Sequence, residues 1–482
     1  MAHDVERVSR SEKAWRCRVA CLASKRRLRI QKCGVVEFSE REGYWEGMRL
    51  SNRIISPVKL QDVSWSTLSG SFFLRESVLF ATSSMLYQGS RFLVNLGVAR
   101  ILGPTTYGFW NMLNLILAYS NVIHIGVINA MNRDVPLFKG KGDLQKVGVI
   151  RHVSLGFMSV SILVAGALMV IIALLIENPI LRTSLKFMAL LLLCSKIYAY
   201  LQVYLKSDRR FNQVSCQQFV SACLFPAAVI PLAMVYGLPG FILGQSVAIL
   251  AVSLLTASIF PFDLRLKFNA QEVVRLIKVG FPIMAVGLLH GLLITVDRWV
   301  ITGFLGAEQL GYYSLSIMVM GFLALVPMLI SEQIYPRMAE VFGRTSSYVA
   351  LRKWIFLQAI ISLGVTVPMV TGVYCVFPVI VQRFLPAYVP GIAAMKIILI
   401  GLLFLPLIGG FGNFLNTVGK QIYYMGVQGF AVLANVGFNV AFVKAGMGIS
   451  GVALGTTLSY AIYNMALFMI GISLLRRELN HT

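Results

Sequence analysis

Leu102-Gly103-Pro104-Thr105-Thr106-Tyr107-Gly108-Phe109-Trp110 is echoed 203 positions later by Leu305-Gly306-Ala307-Glu308-Gln309-Leu310-Gly311-Tyr312-Tyr313. A second segment, Gly237-Leu238-Pro239-Gly240-Phe241-Ile242-Leu243-Gly244, returns as Gly448-Ile449-Ser450-Gly451-Val452-Ala453-Leu454-Gly455 at an offset of 211. Tight turns favour glycine wherever they occur, so either match alone says little. Two matches in the same order, at nearly the same offset, divide the chain into two halves of like build and like orientation.

The residues around these motifs say where the halves reside. From Val78 onward, apolar stretches of about 20 residues, each long enough for one helical crossing of a bilayer, recur between short polar breaks. They fall near 78–100, 109–131, 153–176, 187–205, 214–236, 240–260, 279–303, 311–332, 354–381, 394–415, 421–444 and 449–475, which makes twelve spans. Gly140-Lys141-Gly142-Asp143, Asp208-Arg209-Arg210 and Gly237-Leu238-Pro239-Gly240 supply the turn chemistry between them. The whole-chain balance agrees: 57% of the 482 residues are hydrophobic and 13% charged, with a mean hydropathy of +0.75. A soluble globule is excluded, since such domains average about 25% charged residues. The expected fold is an all-α polytopic membrane protein with about twelve transmembrane helices in two parallel six-helix bundles.

The chain is also strongly basic, with 43 Lys plus Arg against 20 Asp plus Glu and a net charge of +23. In a soluble protein that excess would point to nucleic acid. Here 34 of the 43 fall on one side of the spans, six on the other and three inside. By the positive-inside rule the basic side, with both termini, faces the cytoplasm, and an even number of crossings requires the termini to share a side. The charge is then a topology signal, and nucleic acid is not expected as a partner. The expected location is the cytoplasmic (inner) cell membrane.

The domain reading is a basic cytoplasmic tail at 1–77, a first bundle at 78–260, an amphipathic linker at 261–278, a second bundle at 279–475 and a short cytoplasmic tail at 476–482. The first tail holds 15 Lys or Arg and 9 Asp or Glu with no apolar run long enough to cross a bilayer, and reads as disordered. Its alternatives are an amphipathic helix over Trp15 to Leu28 and a true start at Met48. In the linker, Asn269 followed by Glu272 has capping-box spacing, and Val273, Leu276 and Ile277 share a face, which suggests a short helix lying on the membrane surface. Seven cysteines, three in the tail and four in apolar segments, outline no disulfide framework. No metal or cofactor site is expected.

Polar groups inside spans are costly and usually face a partner or a watery cavity. Ser84, Gln88, Arg91 and Asn95 are spaced four, three and four apart, a single stripe that points inward on the first span. Helix-to-helix hydrogen bonding is the structural alternative. The seventh span, its repeat partner, carries His290, Asp297 and Arg298, and the offset of 203 sets Arg298 opposite Asn95. Embedded Arg91 and Arg298 suit an anionic substrate, because guanidinium forks bind phosphate oxygens and stay charged when partly desolvated. Lys196 either does the same or snorkels to an interface. His124 reads as a packing histidine. The many span asparagines, among them Asn111, Asn114, Asn121, Asn129, Asn413, Asn435 and Asn439, either line a wet path or hold helices together. Nucleotide and zinc-protease motifs are absent: between Gly412 and Gly419-Lys420-Gln421 lie six residues where a phosphate loop has four, with Gln in place of Ser or Thr.

Leu102-Gly103-Pro104 through Tyr107-Gly108, Phe281-Pro282, Asp297-Arg298, Leu305-Gly306 with Gly311-Tyr312-Tyr313, and Gly448-Ile449-Ser450-Gly451-Val452-Ala453 together resemble the oligosaccharide-unit (O-antigen) flippases. These are polysaccharide-biosynthesis members of the multidrug/oligosaccharidyl-lipid/polysaccharide (MOP) exporter superfamily, and the likeness spans roughly 78 to 475. The resemblance implies a V-shaped pair of six-helix bundles that moves a polyprenyl-diphosphate-linked oligosaccharide to the outer leaflet. It also implies a cationic central cavity, onto which Arg91 and Arg298 map. The long tail departs from the family. The expected activity is thus ion-coupled flipping, not catalysis. Arg91, Arg298, Gln88, Asn95 and Lys196 would hold substrate, and Asp297, Glu332 or His290 the coupling ion. Expected partners are the lipid-linked oligosaccharide, membrane lipids and other polysaccharide-assembly membrane proteins. A cation-coupled multidrug exporter and a membrane enzyme of glycan assembly are the competing functions.

Overall fold

The computed structural model describes residues 71–479, with side chains from 78 to 476. The proposed tail helix at Trp15 to Leu28 and the alternative start at Met48 lie outside the described residues. Fourteen α-helices and three 3-10 turns make up the secondary structure, with no strand among the described residues. In hydrocarbon each backbone N–H and C=O must find its partner within its own segment, and the helix is the open-chain answer.

In chain order the helices are α1 (Ser71–Tyr119), α2 (Val127–Gly140), α3 (Leu144–Leu174), α4 (Pro179–Ser207), α5 (Phe211–Ile259), α6 (Ala270–Leu293) and α7 (Val296–Phe304). Then come α8 (Gly306–Leu323), α9 (Leu325–Thr345), α10 (Arg352–Phe384), α11 (Ile392–Leu402), α12 (Leu405–Thr417), α13 (Gln421–Lys444) and α14 (Gly448–Leu479). By length and apolarity nine helices among the described residues can cross a membrane, or ten if the bent pair formed by α1 and α2 is one span.

Two of these are longer than one crossing needs. Both α1 and α5 run 49 residues, about 74 Å if straight, against a hydrocarbon core of about 30 Å. Each turns back at a glycine: Gly103 has φ 73° and ψ 170°, and Gly237 has φ 61° and ψ −133°. An L side chain is strained in those regions, so glycine is required. A Cβ built on Gly244 would sit 2.8 Å from the Cα of Val229, whereas fifteen residues of straight helix would separate them by about 22 Å. Divided at Gly103 and Gly237, the fourteen helices become sixteen segments, and joining the second limb of α1 to α2, α6 to α7, α8 to α9 and α11 to α12 across their short breaks leaves twelve, in the order of the predicted spans. The repeat is carried by the same chemistry: Gly306, the counterpart of Gly103, and Gly448, the counterpart of Gly237, also have positive φ.

The repeat motifs also meet each other. A Cβ on Gly108 would overlap the carbonyl of Ala307, and one on Gly311 would overlap the carbonyl of Pro104. Since Ala307 is the counterpart of Pro104 and Gly311 of Gly108, the same contact is made twice about a pseudo-twofold axis. The Tyr388 hydroxyl adds a 2.9 Å bond to the carbonyl of Ala99. The ends of the two halves that carry these turns are therefore in backbone contact.

At the other end, ion pairs gather. Asp208 receives Lys139 and Arg151, Arg275 reaches Asp134 and Glu272 at 2.7 Å each, Lys146 meets Glu272 at 2.8 Å and His152 meets Asp263 at 2.9 Å. The segment read as a linker is thereby tied to α2 and α3. Its capping residue is in place, with Asn269 Oδ1 accepting from the Glu272 N–H at 3.1 Å. The helix it starts, however, is not a separate short one, since it runs unbroken into the seventh span as α6. Outward-facing apolar side chains such as Leu163, Leu168, Ile171 and Leu174 remain exposed on α3, as lipid contact allows and water would not.

Candidate functional site

The turn at Gly103 folds the second limb of α1 back along the first. Gln88, Arg91 and Asn95 on one limb then face Tyr107, Trp110, Asn111 and Asn114 on the other, around a cavity of about 240 Å³. Residues of α8, including Gly321 and Phe322, close it from the second half. Ser84 is turned away, where its hydroxyl donates to Gln218 Oε1 at 2.9 Å. Only three of the four residues of the predicted stripe therefore line the cavity.

Arg91 is half-buried, and no carboxylate among the described residues lies within 4.0 Å of it. Its Nη1 donates to the Tyr87 hydroxyl at 3.4 Å. The guanidinium lies 5.7 Å from the Tyr87 ring and 5.4 Å from the Phe225 ring. Aromatic faces steady a cation without neutralising it. Nearby, Asn111 is buried and its Nδ2 has no partner, so an amide donor without an acceptor opens on the cavity beside the guanidinium. Neutral amides, aromatic rings and one uncompensated guanidinium can take an oxyanion with sugar rings beside it.

Arg298 lines neither this cavity nor the other one described below. It lies near the first, since both Arg91 and Arg298 are within electrostatic reach of the Tyr107 phenol. Its Nε is buried and unpartnered. Its neighbour Asp297 is buried and already engaged: Oδ1 accepts from the Arg298 backbone N–H at 2.8 Å and Oδ2 from the Tyr313 hydroxyl at 2.8 Å. The carboxylate thus sits in the first turn of α7, bonded to the N–H of its own neighbour, and fastens that turn to α8 through Tyr313. The three predicted ion-coupling residues are not brought together. Asp297 is buried at the α7–α8 contact, His290 is exposed on α6, and Glu332 is exposed on α9, within electrostatic reach of Lys206.

Lys196 stands apart from the arginines. It lines a second cavity, of about 270 Å³, with Asn121, His124 and Asn129. Its Nζ donates to Asn121 Oδ1 at 2.7 Å, so it is buried within the protein and does not snorkel. The asparagines divide by role. Asn111, Asn114, Asn121 and Asn129 line cavities. Asn413 bonds Ser331 and Gln358, and Asn435 bonds the Leu293 carbonyl and the Asn439 amide, so these join helices.

On the second wall of the Arg91 cavity, Asn111 and Asn114 are two of the span asparagines for which the sequence offers a wet path, while Tyr107 and Trp110 are additions of the structure. Tyr107, Trp110, Asn111 and Asn114 follow the i, i+3, i+4, i+7 rhythm of one helix face, which was readable in the sequence. That this face opposes Arg91 depends on the turn at Gly103.

The chain belongs to the polysaccharide biosynthesis protein family, whose pattern matches residues 98–387, more than half of its length. It is 20% identical over 289 residues to a Shigella flexneri protein named as an O-antigen transporter, a match covering 56% of this chain and 67% of that one. Among solved structures it resembles the lipid II flippase MurJ in an inward closed conformation, with a TM-score of 0.65 and 14% identity over 81% of this chain and 87% of MurJ. A MATE transporter in complex with MaD3S gives 0.63 at 14% identity, over 84% and 96%. An inward-facing multidrug resistance MATE transporter of the MOP superfamily gives 0.62 at 14% identity, over 84% and 99%. At that identity the structures establish the fold alone, the one this chain shares with MurJ and the MATE transporters. The chain is a multi-pass membrane protein of the polysaccharide biosynthesis type.

Proposed function

We propose that this member of the polysaccharide biosynthesis protein family is a flippase that carries a polyprenyl-diphosphate-linked oligosaccharide across the cytoplasmic membrane, with Arg91 as the anchor for the diphosphate. One observation carries the reading: a half-buried guanidinium with no carboxylate partner opens on a cavity between the two halves, walled by amides and aromatic rings. A multidrug exporter for cationic compounds would want acids there, and neither cavity has an Asp or Glu in its lining. A glycan-assembly enzyme would want paired carboxylates or an activated nucleophile, and the cavities offer neither.

In this reading the basic ends face the cytoplasm and the Gly108–Gly311 contact closes the outer side. The halves at 78–260 and 279–475 rock against each other to alternate access, and the named relative's role in O-antigen transport extends to this chain. Arg298 supports the same anion from beside Tyr107. Coupling to an ion through Asp297, Glu332 or His290 belongs to the reading as well, with Glu332 exposed and within electrostatic reach of Lys206.

The test replaces the chromosomal copy with Arg91→Ala or Arg91→Lys and measures surface polysaccharide, lipid-linked oligosaccharide and membrane abundance of the protein. Arg91→Ala is expected to lower surface polysaccharide at least tenfold and to accumulate the lipid-linked unit, with Arg91→Lys intermediate because it keeps the charge and loses the fork. Normal polysaccharide in Arg91→Ala at normal abundance would overturn the assignment.

A further inference from the structure

The second cavity lies where the second span is broken. After Tyr119 the chain makes a 3-10 turn over Ser120–Val122, passes through Ile125 with φ 44° and Gly126 with φ 81°, and resumes as α2 with its axis turned by 47°. Irregular backbone at membrane depth is tolerated where it lines a cavity, and paired interruptions in the two repeats mark binding sites. The interruption at Ser120–Val122 has its repeat counterpart at the α8–α9 junction, where Ala324 separates the helices.

Three further features converge on that cavity. Lys196 is 6% exposed, yet its hydrogen bond goes to the neutral amide of Asn121, and no carboxylate among the described residues lies within 4.0 Å. A buried cation without a counter-charge is costly. His124 is 5% exposed and its Nδ1 has no partner. The first turn of α2 has no side-chain cap, its N-cap being Gly126, and Ile128 and Asn129 of that turn line the cavity. A helix N-terminus with free N–H groups favours an anion. A lysine, an unpartnered imidazole, an asparagine amide and an uncapped helix start thus surround space large enough for one sugar-sized acid.

We infer that this cavity is an oxyanion site, for a carboxylate or phosphate group, separate from the Arg91 cavity and held by Lys196, His124, Asn129 and the α2 N-terminus. Along the second span, Asn114 of the Arg91 cavity and Asn121 of this one are seven residues apart, about 10 Å on a helix. The two sites are therefore set apart along the second span. Asn121 holds the lysine in place while the site is empty.

The experiment uses the full chain purified into nanodiscs of zwitterionic lipid and follows the thermal unfolding midpoint as chloride is replaced, at constant ionic strength, by inorganic phosphate or by glucuronate. A saturable rise of about 1–3 °C is expected with at least one of them. Phosphate acting alone assigns a phosphate group, and glucuronate acting alone a carboxylate. A midpoint already raised, and unresponsive, in nanodiscs containing phosphatidylglycerol assigns the group to a lipid. Lys196→Met should abolish the rise without lowering the midpoint of the empty protein, because it removes an uncompensated buried charge. Lys196→Arg should retain part of the rise, His124→Gln should weaken it, and Arg91→Gln should leave it in place. No response to either anion up to about 50 mM in zwitterionic nanodiscs, or a response lost in Arg91→Gln and kept in Lys196→Met, overturns the inference; the latter result would leave the Arg91 reading intact.

Discussion

Single side chains near the repeat turns have distinct jobs despite standing next to each other in sequence. Asp297 and Arg298 illustrate this, because the carboxylate is consumed by the Arg298 backbone N–H and the Tyr313 hydroxyl while the Arg298 Nε stays unpartnered. Asp297→Ala should therefore lower stability by about 1.5–3 kcal/mol through loss of buried charge-assisted bonds. Combined with Tyr313→Phe it should be non-additive, as residues sharing one bond are. Denaturation of the single and double variants in detergent checks this, and strictly additive losses would deny the link. Arg298→Ala is expected to keep stability and abundance but to stop surface polysaccharide assembly, read by glycan staining beside a membrane blot. The residue types were legible in the sequence, since Arg91, Gln88 and Asn95 fall on one helix face. The division of labour between Asp297 and Arg298 was not, because Tyr313 reaches Asp297 from another helix.

At the scale of elements, the glycine turns and the linker decide how the halves meet. Gly108 and Gly311 each lie against a carbonyl of the opposite repeat, so any side chain there must push the ends apart. Gly108→Val or Gly311→Val should widen the gap at that end. Spin labels on Thr105→Cys and Glu308→Cys, both exposed, would report a longer and broader distance distribution, and an unchanged distance would refute the contact. The linker is held differently, by ion pairs. Arg275→Met leaves Asp134, 3% exposed at its side chain, without its cation, and should cost about 2–3 kcal/mol in thermal or denaturant unfolding. Asp263 adds a pH dependence. Desolvation pushes its carboxyl up, but the hydrogen bond and charge of His152 and the charge of Arg265 outweigh that, so the group sits below the ordinary carboxylate range. A lowered native pKa contributes stability that is present above the ordinary carboxylate value and lost as pH falls through the native one. Amide exchange at 261–269, corrected for intrinsic rate, should thus accelerate below about pH 4, and Asp263→Asn should remove the step. Spacing alone revealed Asn269 as a helix start. It did not reveal that the helix continues into α6, since the polar face that suggested a surface element is covered by the ion pairs to Asp134 and Lys146.

For the whole molecule, the strong positive charge and the apolar composition are one fact seen twice. Thirty-four of the cations fall on one side of the predicted spans, the side that the positive-inside rule assigns to the cytoplasm. A membrane-impermeant thiol reagent added to intact cells should label Thr105→Cys and spare Gly142→Cys, and the reverse result would invert the topology. What the sequence by itself determined is the helical class and the order of the apolar segments, the twofold repeat and its glycines, and the identity of the embedded cations, because crossing a bilayer imposes length, apolarity and turn chemistry that are local properties of the chain. Only the tertiary structure decided which cations share a cavity: it joins Arg91 to Trp110 and Asn111, leaves Arg298 beside them at Tyr107, and sends Lys196 to His124 and the broken second span. Periodicity states which face of a helix a residue occupies. Which face it meets depends on where the backbone reverses and on contacts hundreds of residues away, and no local property of the sequence encodes them.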